Sequence, residues 1–315
     1  MDPSDFTGRQ GKTIVVIGSL NMDLVMRTPR VPASGETLNG HDFRTVPGGK
    51  GANQAVACAR MGGKVILIGQ VGDDAFGETL RDGLIRDGID VSSVTRTSAV
   101  GTGVAVILVE DTGQNRIMLA SGANGTLQPI DIDNAGALIR SAAMLIVQLE
   151  VPMSVVQRAV EIAHGAGVPV LLNPAPPDLL PEGILSRVCI LVPNESEASM
   201  LTGLPVVDAP SAIAAARLFR RQGVGSVVVT LGEQGVVVVD DAGERHLLAH
   251  VVKAVDTTAA GDTFIGGLSV GCVEGLSIDA AVAMGQRASA LCVTRHGAQP
   301  SIPYRRELAG TRRAR

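Results

Sequence analysis

The stretch Val255-Asp256-Thr257-Thr258-Ala259-Ala260-Gly261-Asp262-Thr263-Phe264 sets small residues and then an acid at the expected start of a helix. The free N–H groups and dipole of a helix N-terminus favour an anion, and small side chains let backbone amides approach it. Asp262 would then stand beside a bound phosphate, where a carboxylate can take the proton of an attacking hydroxyl. The plainer alternative is that Asp262 caps the helix while Gly261 makes the turn. A second cluster, Pro47-Gly48-Gly49-Lys50-Gly51-Ala52-Asn53-Gln54, also runs into a helix. It lacks the G-x-x-x-x-G-K-[ST] spacing of a Walker A loop, so Lys50 is not given that role. Its glycines permit close backbone approach and Asn53 offers a donor and an acceptor to a polyol, although a tight strand-to-helix turn explains the same residues. Gly18-Ser19-Leu20-Asn21-Met22-Asp23 follows the first expected strand. An amide and a carboxylate there can hold vicinal hydroxyls, or simply form an Asx turn. Gln148-Leu149-Glu150 and Pro193-Asn194-Glu195-Ser196-Glu197 each close an apolar strand, and polar residues at the ends of several parallel strands converge in space.

Two rival chemistries are weaker. Gly267-Leu268-Ser269-Val270-Gly271 matches G-x-S-x-G, and Asp279 and His296 follow in the chain order of an α/β-hydrolase triad. That motif needs a strand, a sharp turn and then a helix, whereas the residues from Asp262 onward read as one continuous helix. Ser269 is therefore expected inside a helix whose small residues serve packing. His246 and His250 could form a metal pair, but they fall in an expected strand region with no third ligand, and surface histidines are the better reading. Cys58, Cys189, Cys272 and Cys292 form no C-x-x-C pair and read as four buried, reduced thiols.

These residues need a scaffold. The chain has 315 residues, 45% of them apolar and 18% charged, enough for a large core. Lys plus Arg (27) against Asp plus Glu (31) leaves a net charge of −4, which argues against a generally basic nucleic-acid or membrane-surface protein. Five Phe, one Tyr and no Trp are too few for base-stacking platforms or membrane aromatic belts. The polar, acidic start Met1-Asp2-Pro3-Ser4-Asp5 carries no secretory signal, no spanning segment is evident, and a cytoplasmic location is expected. The basic Thr311–Arg315 end reads as a frayed terminus.

Glycines, 38 in all, punctuate short β-branched runs alternating with Ala- and Leu-rich stretches, the pattern of βαβ units around a parallel sheet buried on both faces. Strands are expected at Thr13–Ile17, Val65–Gly69, Met144–Gln148, Val168–Leu172, Ile190–Val192 and Ser226–Thr230. Helices are expected at Ala52–Met61, Phe76–Asp87, Ser154–Ala163, Ala212–Gln222, Thr263–Val273 and Ile278–Val293. Leu24–Val46 and Thr102–Leu119 break this rhythm: both alternate apolar and polar residues and read as antiparallel strands outside the main sheet. Paired together, they would form a discontinuous lid, at about 24–46 and 102–119, over the sheet edge where open α/β folds bind ligands.

Taken together, the segments resemble the ribokinase-like (PfkB-type) family of sugar kinases. One family signature runs from Gly48-Gly49-Lys50-Gly51-Ala52-Asn53-Gln54 to Gly69-Gln70-Val71-Gly72-Asp73-Asp74-Ala75-Phe76-Gly77, and the other is Asp256–Asp262. Further matches are Asn21-Met22-Asp23, Gln148-Leu149-Glu150, Asn173-Pro174-Ala175-Pro176 and Thr294-Arg295-His296-Gly297-Ala298-Gln299-Pro300-Ser301. Similarity extends from Val15 to Ser301.

The resemblance implies one kinase domain over residues 1–315, with a three-layer α/β/α fold, a mostly parallel central sheet and the small β-strand lid. It implies ATP-dependent phosphorylation of D-ribose at the 5-hydroxyl, with Asp262 as general base and Ala259, Ala260 and Gly261 as anion hole. Sugar would be held by Asn21, Asp23, Gly49, Lys50, Asn53, Glu150 and Asp262. ATP would meet Asn194, Thr230, Gly232, Glu233, Gln234, Gly235, Gly261 and Gln286. Mg²⁺ would be organised through water by Asn194 and Glu197, and K⁺ held at Asp256, Thr258, Cys292, Arg295, Gly297 and Ser301, partly through backbone carbonyls and without a thiolate. The family's lid strands also imply a homodimer. Another sugar or nucleoside kinase of the same family, for 2-deoxyribose, fructose or a nucleoside, is the nearest alternative. A catalytically silent sugar-binding regulator is the alternative of a different class, and it would have no use for a base at Asp262.

Overall fold

The computed structural model describes residues 12–310; the N-terminal segment read for a signal and the basic 311–315 end lie outside the described residues. In chain order the strands are β1 (Thr13–Ile17), β2 (Asn21–Thr28), β3 (Asp42–Gly48), β4 (Lys64–Gly72), β5 (Asp90–Thr97), β6 (Gly103–Glu110), β7 (Asn115–Ala120), β8 (Met144–Val147), β9 (Val170–Leu172), β10 (Ile190–Leu191), β11 (Ser226–Thr230), β12 (Val236–Asp240) and β13 (Gly243–Leu247). The helices are α1 (Lys50–Arg60), α2 (Ala75–Arg86), α3 (Pro129–Asn134), α4 (Gly136–Ser141), α5 (Met153–Gly165), α6 (Glu195–Thr202), α7 (Ala209–Arg221), α8 (Ala260–Val273) and α9 (Ile278–Cys292). Each element expected from the sequence is present, with ends displaced by at most three residues.

Nine strands form one sheet in the order β13-β12-β11-β10-β9-β8-β1-β4-β5. All neighbours pair in parallel except the β11–β12 and β12–β13 pairs at one edge. Period-two alternation sends Ile14 and Val16 of β1 into the core shared with α1, α2, α8 and α9, and Val15 and Ile17 into the opposite core with α3, α4, α5 and α7. Both faces are thus covered, giving the three layers and explaining why the strands are apolar throughout. The chain leaves β1 for β4 on one side and β8 lies on the other, so the crevice at this reversal of strand order is where an open α/β sheet receives its ligand.

The two alternating stretches form a separate four-stranded sheet, β3-β2-β6-β7. Each is an antiparallel hairpin, but the hairpins join through a parallel β2–β6 pairing, which corrects the all-antiparallel expectation. The cause is topological: β2 and β6 continue from β1 and β5, which run the same way in the main sheet. Phe43, Ile117, Met118 and Leu119 of this small sheet are exposed.

Small residues decide how α8 packs. A Cβ on Gly266 would stand 2.3 Å from the Ala57 Cβ of α1, and one on Gly267 would stand 2.7 Å from the Gly285 Cα of α9. Ser269 is fully buried in the middle of this helix, and Asp279 pairs with Arg245 at 2.8 Å. The G-x-S-x-G match is therefore a packing stripe and no nucleophile elbow. Among the described residues, no cluster of three His, Cys, Asp or Glu could hold a metal ion, and no helix is long and apolar enough to cross a membrane. His246 Nε2 lies 2.7 Å from the Gln234 carbonyl. All four cysteines are free, and three are buried, with Cys189 only partly so.

Candidate active site

Asp262 is the third residue of α8, so the capping alternative fails: the cap is Ala259, whose φ of 58° is left-handed although it carries a Cβ. That conformation costs on the order of 1 kcal/mol or more and persists only where the surroundings enforce it. Ala260 N donates to the Thr257 carbonyl at 3.2 Å, while the space beside Gly261 is open, with no atom within 4 Å of where a Cβ would sit. Ala259, Ala260 and Gly261 thus line a helix mouth with room for an anion.

The Asp262 carboxylate points away from its own helix toward α1. Its Oδ2 accepts from Asn53 Nδ2 at 2.9 Å and its Oδ1 from Gln54 Nε2 at 2.9 Å. Gly49, with φ of 88°, starts α1 against the Ser19 to Asn21 backbone, where a Cβ would meet Asn21 N at 2.6 Å. This close approach brings Lys50 and Asn53 to the end of β1. Lys50 N donates to Glu150 Oε2 at 3.2 Å, Ser19 Oγ donates to the same oxygen at 2.6 Å, and Asn21 Nδ2 reaches it at 3.5 Å.

Asn21 and Asp23 are the first and third residues of β2, so both project from one face of the small sheet; the Asx-turn alternative does not occur. Asn124 fixes this entry by accepting from Leu20 N at 2.9 Å and donating to Asn21 Oδ1 at 2.7 Å. Gly48, opposite in β3, leaves no room for a Cβ, which would sit 2.4 Å from Asp23 Oδ2. Asp23 is 8% exposed. Burial first, and then the Glu150 and Asp262 charges, push its carboxyl up to about 7. Lys50 behaves oppositely: burial disfavours its ammonium, but Asp262, Glu150 and Glu197 outweigh that and raise its pKa. Asn53 Oδ1 is buried without a partner, an acceptor open to a ligand hydroxyl.

Farther along the same sheet edge, Asn194, past the end of β10, and Thr230, the last residue of β11, form a single parallel bridge. Thr230 leads into the Gly232–Gln234 turn, and Gly235 follows in a left-handed conformation with φ of 101°. Gln234 Nε2 donates to the Val207 carbonyl at 3.1 Å, and Glu233 is exposed. Gln286 Nε2 is shared between the Leu247 and Leu248 carbonyls at 3.1 and 3.2 Å, so its donor holds α9 to β13.

Asn194 and Glu197 interlock as a capping box for α6: Asn194 N and Nδ2 donate to the two Glu197 carboxylate oxygens, and Glu197 N donates to Asn194 Oδ1. Burial pushes the Glu197 carboxyl up despite the bond from Asn194. With these oxygens already engaged, the pair suits a Mg²⁺ that keeps its own waters rather than one bound directly.

The turn before α8 supplies hard oxygen donors of the kind K⁺ needs. Asp256 Oδ1 accepts from Thr258 N and Oγ1 at 2.9 and 2.6 Å, and Oδ2 accepts from Gly297 N at 2.9 Å. Burial pulls the Asp256 carboxyl upward, but these hydrogen bonds outweigh it and leave its pKa below the usual value, so negative charge is held there. Ser301 Oγ donates to the Ala298 carbonyl at 2.7 Å and lies 3.0 Å from Cys292 Sγ. Burial raises the Cys292 thiol, in keeping with a protonated side chain. The Arg295 guanidinium pairs with Glu307 at 2.6 Å, leaving only its carbonyl for a cation. A cleft of about 310 Å³, lined by Asp23, Asp256, Thr258 and Gly297 among others, separates this turn from the small sheet.

The structure therefore brings together the residues singled out around Asp262, Asn53, Lys50, Glu150, Asn21 and Asp23, sets the Thr230–Gly235 group farther along the same sheet edge, and places the Asp256–Ser301 group in the turn before α8 and beyond the end of α9. Sequence reasoning missed Ser19, Gln54, Asn124 and Asn173 as functional residues. All four are buried polar residues, and at Ser19 and Gln54 the signal was a polar residue beside a glycine run at a strand or helix end.

The profile described as pfkB family carbohydrate kinase matches residues 12–305. The ribokinase of Haemophilus influenzae is 44% identical over 296 residues, covering 94% of this chain and 97% of that protein. The deoxyribokinase of Salmonella typhimurium is 39% identical over 293 residues, covering 92% and 95%. The structure of Arabidopsis thaliana ribokinase complexed with ribose and ATP superposes with a TM-score of 0.90 at 33% identity, covering 95% of this chain and 98% of that one. The site at the end of β1, the two signatures that build it and these relatives agree, and the chain belongs to the pfkB family of carbohydrate kinases.

Proposed function

We propose that the protein is an ATP-dependent ribokinase that converts D-ribose to D-ribose 5-phosphate. The observation that carries this reading is the Asp262 carboxylate, set within the first turn of α8 and tied by Asn53 to the polar pocket of Asn21, Asp23 and Glu150. Asn21, Asp23, Lys50 N–H, Asn53 and Glu150 hold the sugar hydroxyls, and the unpartnered Asn53 Oδ1 accepts one of them. Asp262 then takes the proton of the 5-hydroxyl as its oxygen attacks the γ-phosphorus of ATP and the bond to the bridging oxygen breaks, releasing ADP, a general-base role worth about 10²–10⁴ in rate. The backbone of Ala259, Ala260 and Gly261 at the mouth of α8, with the helix dipole, stabilises the charge on the transferring group, and the Lys50 ammonium adds positive charge nearby.

ATP lies along Asn194 and the Thr230–Gly235 segment, with Gln286 at the adenine end. Asn194 and Glu197 would organise Mg²⁺ through water, and the bound ion would supply charge neutralisation on the phosphates. The Asp256 turn, with Thr258, Gly297, Ser301 and the backbone at Cys292 and Arg295, would hold K⁺, whose charge would help to keep the helix mouth in shape. The small sheet closes over the sugar as a lid, which excludes water from the phosphoryl acceptor site. Its exposed Phe43, Ile117, Met118 and Leu119 are the surface through which two copies pair, and the enzyme works in the cytoplasm.

The deoxyribokinase relative makes 2-deoxy-D-ribose the competing substrate. Phosphorylation of D-ribose, 2-deoxy-D-ribose, fructose and adenosine is compared with MgATP, in K⁺ and in Na⁺. The expected result is the highest kcat/KM on ribose and a fall when Na⁺ replaces K⁺. A higher kcat/KM on 2-deoxyribose overturns the substrate assignment while keeping the chemistry, and no turnover of any acceptor overturns the kinase reading.

A further inference from the structure

Gln54 sits one residue beyond the sugar-facing Asn53, yet its hydrogen bonds run only to other side chains of the protein. Its Nε2 donates to Asp262 Oδ1 at 2.9 Å and to Asn173 Oδ1 at 3.1 Å, and its Oε1 accepts from Gln148 Nε2 at 2.5 Å. It is completely buried, as is Gln148. The direction of this chain is forced from its far ends. Asn173 Nδ2 donates to the Val192 carbonyl at 2.9 Å, and a carbonyl only accepts, so Asn173 must turn Oδ1 toward Gln54. Ionised Asp262 also only accepts, so Gln54 must present its NH₂ group to both and its oxygen to Gln148. Room for Gln148 comes from Gly18, where a Cβ would stand 2.0 Å from Gln148 Oε1. Gln148 and Asn173 directly follow β8 and β9, and Gln54 stands inside α1, on the rigid elements around the reversal of strand order.

We propose that Gln54 is a positioning residue for the phosphoryl-transfer base: braced by Gln148 and Asn173, it anchors Asp262 Oδ1 so that Oδ2 stays turned toward Asn53 and the acceptor hydroxyl. The inference rests on the reading of Asp262 as the base. A carboxylate held at one oxygen by a fixed donor loses its freedom to rotate, and the remaining oxygen is presented in one orientation. Misplacement of a reacting group by an ångström or so can cost about 10²-fold in rate. Because Gln148 acts only through Gln54, the two are coupled, and their effects on kcat do not add.

The test uses the full chain and measures kcat, KM and calorimetric Kd for the pentose that the unaltered protein turns over best. Gln54→Met, close in volume, is expected to lower kcat about 10- to 100-fold while pentose Kd changes less than about threefold. Gln54→Glu keeps the shape but sets an acceptor against Asp262, and is expected to lower kcat at least as far. Gln148→Met is expected to lower kcat by a smaller factor, and adding it to Gln54→Met is expected to cost nothing more. A purely structural role would lower the unfolding temperature and weaken binding without this split between kcat and Kd. The proposal is overturned if both Gln54 variants keep kcat within about twofold, if Kd weakens in proportion to kcat, or if the Gln148 effect adds in full. In those cases the active unaltered protein leaves the kinase reading standing, whereas an unaltered protein that phosphorylates no acceptor overturns both.

Discussion

Replacing Asp23 by Asn is expected to stabilise the fold, and by an amount that grows with pH. The side chain is 8% exposed and lies among other acids, and its carboxyl is pushed from 3.8 up to about 7 by burial, Glu150 and Asp262. Between these values the unfolded chain has released a proton that the native protein keeps. A carboxyl raised in the native state contributes stability that is complete below the unfolded pKa and is lost as pH rises through the native one. A difference of about 3 units, at about 1.4 kcal/mol each, gives a full loss of roughly 4 kcal/mol above pH 8, of which roughly 1.6 kcal/mol is already gone near pH 5. Asn has the same shape and no charge to desolvate. The stability difference between Asp23→Asn and the unaltered protein should therefore widen by roughly 2–3 kcal/mol between about pH 5 and pH 8. Urea unfolding of both proteins at the two pH values, followed by circular dichroism with equal slopes required, measures this directly. A difference that is constant with pH, or that narrows, refutes the picture of Asp23 as a buried acid waiting for a hydroxyl.

The same carboxyl predicts how sugar binding depends on pH. If its ionised form accepts a sugar hydroxyl, ribose Kd should fall about tenfold between pH 6 and pH 8, and calorimetry should detect proton release near pH 7; a flat Kd contradicts this role. The packing stripe of α8 predicts that Gly267→Ala, which sets a methyl 2.7 Å from the Gly285 Cα, destabilises the protein by about 1–3 kcal/mol in the same urea assay. An unchanged midpoint would show that α8 and α9 part without cost.

How far the sequence discloses this molecule follows from where its polar residues lie. The central strands announce themselves because burial on both faces demands short, continuous runs of Val, Ile and Leu, as in Thr13–Ile17 and Ser226–Thr230. Edge strands give a weaker signal: β5 and β13 expose alternate residues such as Asp90, Arg96 and His246, and their composition resembles that of loops. Val236–Val239 in β12 carries the same run of valines as the central strands and was readable as one. Asn194 and Glu197 were read for their chemistry, although their spacing is also that of a capping box, and α6 starts there.

The site divides in the same way. Asp262, Lys50, Asn53 and Glu150 stand at the ends of strands and helices where convergence is expected from topology alone. The amides that hold them are joined across long stretches of chain, Gln148 to Gln54 over 94 residues and Gln54 to Asp262 over 208. A lone Gln in an apolar segment shows that a partner must exist, because an unpaired buried amide is costly, but not which residue it is.

The most direct measurement is the rate of ATP-dependent ribose phosphorylation by Asp262→Asn, taken together with the ribose Kd of the same variant. The Asn side chain keeps the size and position of the carboxylate but cannot accept the proton of the attacking hydroxyl. A fall in kcat of about 10²–10⁴ with ribose binding largely retained is the expected result. A variant that keeps kcat within about tenfold of the unaltered protein would contradict the assignment of Asp262 as the general base.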